Sequence, residues 1–128
     1  EDTNFEANYK KVNSRVKKVA KGLSYKLIKG FFSETLKQGA KSYGIEKTRI
    51  IFIDSDTYSS AIDALLFALP TIQEGTYIIL DDYFSYKGSQ KHGVAKAFLE
   101  FSEKGNLTYR HILNYGMGGS VFIISNIR

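Results

Sequence analysis

Apolar residues recur at two different periods along this chain, and the changes of period divide it into elements. Phe5, Tyr9, Val12, Val16 and Val19 fall at helical spacing, with Lys10, Lys11, Arg15, Lys17, Lys18 and Lys21 on the other faces. This predicts an amphipathic helix closed near Gly22. The stretch "SYKLIKGFF" (24–32) then alternates through Tyr25, Leu27 and Phe31 and reads as a short strand broken at Gly30. Ser33 is placed to cap a short helix, "SETLKQGAKSYG", that Gly44 would end.

From residue 49 onward the apolar runs become denser. "RIIFID" (49–54) and "TYIIL" (76–80) are nearly continuous, as in strands buried on both faces of a parallel sheet. Between them "SSAIDALLFALP" (59–70) sets Ile62, Leu65, Leu66 and Leu69 on one helical stripe, with Ser60 and Asp63 at capping-box spacing and Pro70 at the end. A turn falls at Glu74-Gly75. "HGVAKAFLEFSEKG" (92–105) predicts a helix buried through Val94, Phe98 and Phe101 and closed by Gly105. "LTYRHIL" (107–113) and "SVFIIS" (120–125) predict a terminal hairpin, so "GMGGSV" (116–121) reads as its turn rather than as a phosphate cradle. Strands alternating with helices give an α/β fold, a mostly parallel sheet with crossover helices on both faces and a C-terminal antiparallel hairpin strand.

Composition narrows the classes. A chain of 128 residues supports one core, and 43% apolar residues argue against wholesale disorder. No apolar run reaches the roughly 20 residues that span a bilayer, so the chain reads as soluble, with no membrane partner expected. The absence of cysteine excludes disulfides and thiolate metal sites and fits a cytoplasmic location. Charge is uneven: residues 1–49 carry 12 Lys/Arg against 5 Asp/Glu, and residues 50–128 carry 6 against 8. A basic binding module for nucleic acid or an acidic partner is therefore one reading of the first half, and a solvated helix face is the plainer one. The nine Tyr and nine Phe fall mostly at core positions, so base stacking is not expected.

Candidate chemistry lies where two apolar runs end in acids. Asp54 ends "IIFID", and Asp81 and Asp82 end "YIILDD". If these strands are neighbours, three carboxylates meet at the carboxyl edge of the sheet, where α/β proteins bind ligands. An all-oxygen donor set suits a hard cation such as Mg²⁺, which would also relieve the repulsion within the Asp pair. The competing reading places these acids at helix caps and in a solvated turn.

The segment "FIDSDTYSSAIDALLFALPTIQEGTYIILDDYF" resembles the core of the macrocin-type O-methyltransferases, a class I S-adenosylmethionine-dependent family with a Rossmann-like sheet. The matching residues are Asp54, Asp56, Tyr58, Ser60, Asp63, Ala64, Leu65, Pro70, Gly75, Asp81, Asp82 and Tyr83. "KGFFSETL" (29–36) and "GVAKAFLEF" (93–101) extend the likeness to about residues 25–101. The resemblance implies Mg²⁺-dependent methyl transfer from S-adenosylmethionine to a hydroxyl of a sugar or other small molecule. It implies Asp54, Asp81 and Asp82 as metal ligands, Asp54 and Asp82 also as catalytic groups, and Gly30, Phe31 and Phe32 beside the cofactor. Asp56 reads as the cap of the following helix.

Departures from the family pattern are equally specific. Class I methyltransferases carry a Gly-rich loop after their first strand, and no such loop entering a helix occurs here. "EDTNFE" matches the family's "Asp-Thr/Ser-Phe-Glu" only with Asn4 as an extra residue, which makes Asp2 the candidate ribose contact. The expectation is one partial methyltransferase domain over residues 1–128 that begins after the second strand. An inactive remnant is the alternative, and free sheet edges would favour a homo-oligomer. His92, in the insertion "SYKGSQKHG" (85–93), is a candidate general base or a plain surface-loop histidine. His111, in a strand near the sheet edge, reads as structural.

Overall fold

The computed structural model describes residues 8–128. The chain divides into two compact units, Glu1–Phe31 and Phe32–Arg128. In the first, helix α1 (Tyr9–Val19) begins at Asn8, whose side chain accepts from Lys11 N at 3.3 Å, and carries Lys17 and Lys18 in its last turn. Cations there complement the helix dipole. Val12 and Val16 are half-buried and Val19 is exposed, while Phe5 lies outside the described residues. The strand expected over 24–32 does not form. Residues 24–29 are irregular, the chain bends at Gly30, and Tyr25 and Ile28 are exposed. Its alternation is short, and no strand among the described residues pairs with it.

The second unit opens with α2 (Phe32–Thr35), one turn long and starting a residue before Ser33, which therefore does not cap it. The expected helix through residue 44 is interrupted because Gly39 takes φ +75°; Ala40–Tyr43 follows as a 3₁₀ turn ended by Gly44. The sheet comprises β1 (Ile50–Ile53), β2 (Tyr77–Leu80), β3 (Leu107–Tyr115) and β4 (Gly119–Ile127), in the spatial order β1-β2-β4-β3. β1 and β2 are parallel, with Ile53 opposite Leu80, and β4 is antiparallel to both β2 and β3. The result is a mixed α/β sheet closed by the expected hairpin.

β1 is not buried on both faces. Ile51 and Ile53 are buried, whereas Ile50 is 60% and Phe52 55% exposed, because the packed core of this unit lies on the other face of the strand. Strand residues of one parity (Ile51, Ile53, Ile78, Leu80, Phe122 and Ile124) share a single core with α3 (Tyr58–Ala68) and α4 (Gly93–Lys104). Within this unit both long helices thus pack on one face. α3 buries Ala61, Ala64, Leu65 and Ala68, while Ile62 and Leu66 reach only partial burial. Small residues on the inner stripe let α3 approach α4 closely. Phe98 of α4 is the centre of the core, fully buried and stacked on Phe122 with centroids 4.5 Å apart. Tyr109 and Tyr83 meet the Phe98 ring edge-on at 4.7 and 6.2 Å.

A candidate acidic site at the carboxyl edge of the sheet

The register of β1 and β2 determines the site. Two parallel strands aligned Ile53 to Leu80 finish at the same level, and the Asp81 N–H still donates to Ile53 O at 3.0 Å. Asp54, Asp81 and Asp82 therefore leave one edge together, and each offers a carboxylate oxygen within 4.8 Å of the others. Asp54 is exposed and the pair is half-buried. The juxtaposition expected from the two acid-ended runs is the one observed.

Asp56 is placed differently from its expected role. Thr57 is the N-cap of α3, accepting from Ser60 N at 3.3 Å, so neither Asp56 nor a Ser60–Asp63 capping box begins this helix. The Asp56 carboxyl instead lies close enough to Asp82 to act on its titration. Burial, and then the Asp56 and Asp81 carboxylates, raise the Asp82 pKa above the ordinary aspartate range, opposed by the Ser85 hydroxyl, which donates to Asp82 Oδ1 at 3.2 Å. Like charges gathered in a half-buried rim have this effect unless a cation joins them.

Two tyrosines flank the acids. Tyr115, at the carboxyl end of β3, donates its hydroxyl to Asp81 Oδ1 at 2.9 Å. Burial, that hydrogen bond and the charges of Asp81, Asp54 and Asp82 push its pKa up to about 12. No motif in the sequence marks Tyr115; the available signal is its place beside the turn of the expected terminal hairpin. On the other flank Tyr86, at φ +60°, donates to the Asp56 backbone O at 3.4 Å.

His92 is exposed, precedes α4, and lies with its ring 6.3 Å from that of Tyr86. Phe32 is 40% exposed and lines an apolar groove of about 250 Å³ that also includes Ile50, Phe52 and Asp54. Gly30 and Phe31 belong to the first unit, where Phe31 is exposed. Asp2 lies outside the described residues. His111, expected to be structural, packs edge-on against Phe122 at 5.6 Å. Among the described residues no helix is long and apolar enough to cross a membrane.

The donor chemistry fits a divalent cation. Oxygens about 2.1 Å from Mg²⁺ in an octahedron are separated by about 3 to 4.2 Å. Donors within 4.8 Å of one another reach that geometry with movements of up to about 1 Å each.

The family model described as macrocin-O-methyltransferase (TylF) matches residues 8–112. Among solved structures, the O-methyltransferase NovP is similar with a TM-score of 0.73 and 20% identity, over 94% of this chain and 46% of that one. The apo structure of CalS11, a TDP-rhamnose 3'-O-methyltransferase in calicheamicin biosynthesis, gives a TM-score of 0.58 and 16% identity over 76% of this chain. The chain spans 46% and 40% of the lengths of these two proteins. No curated protein matches it significantly in sequence.

Proposed function

The chain belongs to the macrocin-O-methyltransferase family, and from that premise we propose that it carries the metal-binding part of an S-adenosylmethionine-dependent O-methyltransferase. The observation that carries the reading is the convergence of Asp54, Asp81 and Asp82 at the ends of two adjacent parallel strands. NovP and CalS11 are both O-methyltransferases by name, and CalS11 is named for a sugar nucleotide. A sugar hydroxyl on a small molecule is accordingly the proposed acceptor.

Asp54, Asp81 and Asp82 are the proposed ligands of a divalent cation. Bound there, the cation would polarise the acceptor hydroxyl and lower its pKa. S-adenosylmethionine would supply an electrophilic methyl group, which the acceptor oxygen takes as its proton leaves. For the chain's own residues the tasks are to orient the acceptor and receive that proton. Asp54, exposed at the rim, would use its second oxygen for this; Asp82, held by Ser85, would help to fix the acceptor. His92, exposed ahead of α4, is the second proposed base. Phe32, in the groove that reaches Asp54, offers an aromatic face to the cofactor's adenine, with Gly30, Phe31 and Asp2 as its further proposed contacts.

Calorimetric titration tests the reading. Mg²⁺ should bind the parent protein and fail to bind Asp81→Asn/Asp82→Asn, and S-adenosylhomocysteine should bind more tightly with Mg²⁺ present. Equal Mg²⁺ binding by the double variant would remove the metal site from the proposal. Absence of S-adenosylhomocysteine binding with and without Mg²⁺ would remove cofactor binding from this chain.

A further inference from the structure

We infer that Tyr115 is a positioning residue of the acidic rim, holding Asp81 so that its second carboxylate oxygen faces the cation; this rests on the metal site proposed above. Three observations converge on it. The Tyr115 hydroxyl donates to Asp81 Oδ1 at 2.9 Å, which occupies that oxygen and restricts rotation of the carboxylate. The ring lies across Gly119, its cross-strand partner. A Cβ on residue 119 would stand 2.3 to 2.7 Å from Tyr115 Cζ, Cε1 and Cε2, so only glycine admits the ring in this position. The turn that follows Tyr115 is tied to the acid-bearing loop by a separate bond, from Phe84 N–H to Gly118 O at 3.0 Å. The hairpin thus grips the segment 81–84 at both ends, once through the Asp81 side chain and once through the Phe84 backbone.

A ring that merely packed against the rim would be indifferent to its hydroxyl. A ring that aims Asp81 needs the hydroxyl, because a carboxylate without that donor samples orientations in which neither oxygen meets the other two ligands. Partners that orient a metal ligand are typically worth 10- to 100-fold in metal affinity. Tyr115→Phe keeps the ring and removes the donor, whereas Gly119→Ala keeps the donor and displaces the ring.

The test is calorimetric titration of Mg²⁺ into the full chain and both variants, with the electron paramagnetic resonance line shape of bound Mn²⁺ and the metal-free unfolding midpoint alongside. Tyr115→Phe is expected to weaken Mg²⁺ binding about 10-fold or more and to alter the Mn²⁺ line shape, with the metal-free midpoint nearly unchanged. Gly119→Ala is expected to weaken Mg²⁺ binding as well. Tyr115→Phe binding within twofold of the parent, with an unaltered Mn²⁺ line shape, overturns the positioning role and leaves the metal site standing. Failure of the parent itself to bind Mg²⁺ and Mn²⁺ overturns both.

Discussion

The ring of Tyr86 occupies the space a side chain on residue 93 would need: a Cβ at Gly93 would lie 2.5 Å from Tyr86 Cε2. Gly93 also has φ +57° and is the first residue of α4. The insertion 85–92 is thereby fastened to the helix that follows it, close to Asp56 and Asp82.

Gly93→Ala should accordingly cost more than Gly88→Ala. Both place a side chain at positive φ, +57° and +72°, for about 1 kcal/mol or more, but only residue 93 meets an aromatic ring, and nothing lies within 4 Å of a Cβ at 88. Urea denaturation would measure the difference, and limited proteolysis should cut the 85–92 segment faster in Gly93→Ala alone. Equal losses for the two variants would mean that Tyr86 does not fasten the loop.

Asp82 gives a pH signature of the opposite sign to an ordinary paired carboxylate. Its folded pKa is raised, so its contribution to stability is full below the unfolded value of 3.8 and is lost as pH rises through the folded value. In metal-free protein, Asp82→Asn should raise the unfolding midpoint at pH 7, and the gain should shrink on acidification and vanish below 3.8. The amide oxygen can still accept from Ser85. A midpoint lowered at neutral pH would contradict the repulsion inferred among these carboxylates.

At the alkaline end Tyr115 should ionise late. Its folded value of about 12 lies above the ordinary 10.0, so the stability it contributes is intact below 10 and declines from there toward 12. Ultraviolet absorbance titration of the tyrosines should contain a late step that Tyr115→Phe removes. Persistence of that step in the variant would assign it elsewhere, Tyr83 being the next candidate, since burial raises its pKa too.

Phe98 should be the most sensitive core position. Its side chain is fully buried against Phe122, Phe101, Tyr83 and Tyr109, so Phe98→Ala should cost about 3–5 kcal/mol. That is a large share of the roughly 5–15 kcal/mol available to a small domain. Phe98→Leu should retain most of the fold, as monitored by far-ultraviolet circular dichroism during denaturation.

The site was more legible in the sequence than the packing around it. Acids at the ends of two apolar runs meet because parallel strands in register end at one level, a consequence of topology that needs no side-chain detail. Residues 24–32 misled because a few alternating apolar positions cannot tell a strand from an irregular segment without a partner to pair with. "RIIFID" misleads on burial because a continuous apolar run does not reveal that the helices of this unit cover only one face of the strand, leaving Ile50 and Phe52 exposed on the other. Asp56 has the stronger cap propensity, yet Thr57, one position later and also a favoured cap residue, takes the role. Tyr115 was invisible because its value comes from a hairpin folding back across more than thirty residues to reach Asp81, a contact that local pattern does not encode.

The placing of β4 between β2 and β3 has a consequence for biosynthesis. When both acid-bearing strands have just been synthesised Gly119 has not, so the Tyr115 ring has no seat and β2 has no neighbour on that side. A nascent or prematurely terminated chain ending before β4 would hold every carboxylate of the rim and lack the hairpin that braces it. Tight cation capture would then await the pairing of β4 with β2.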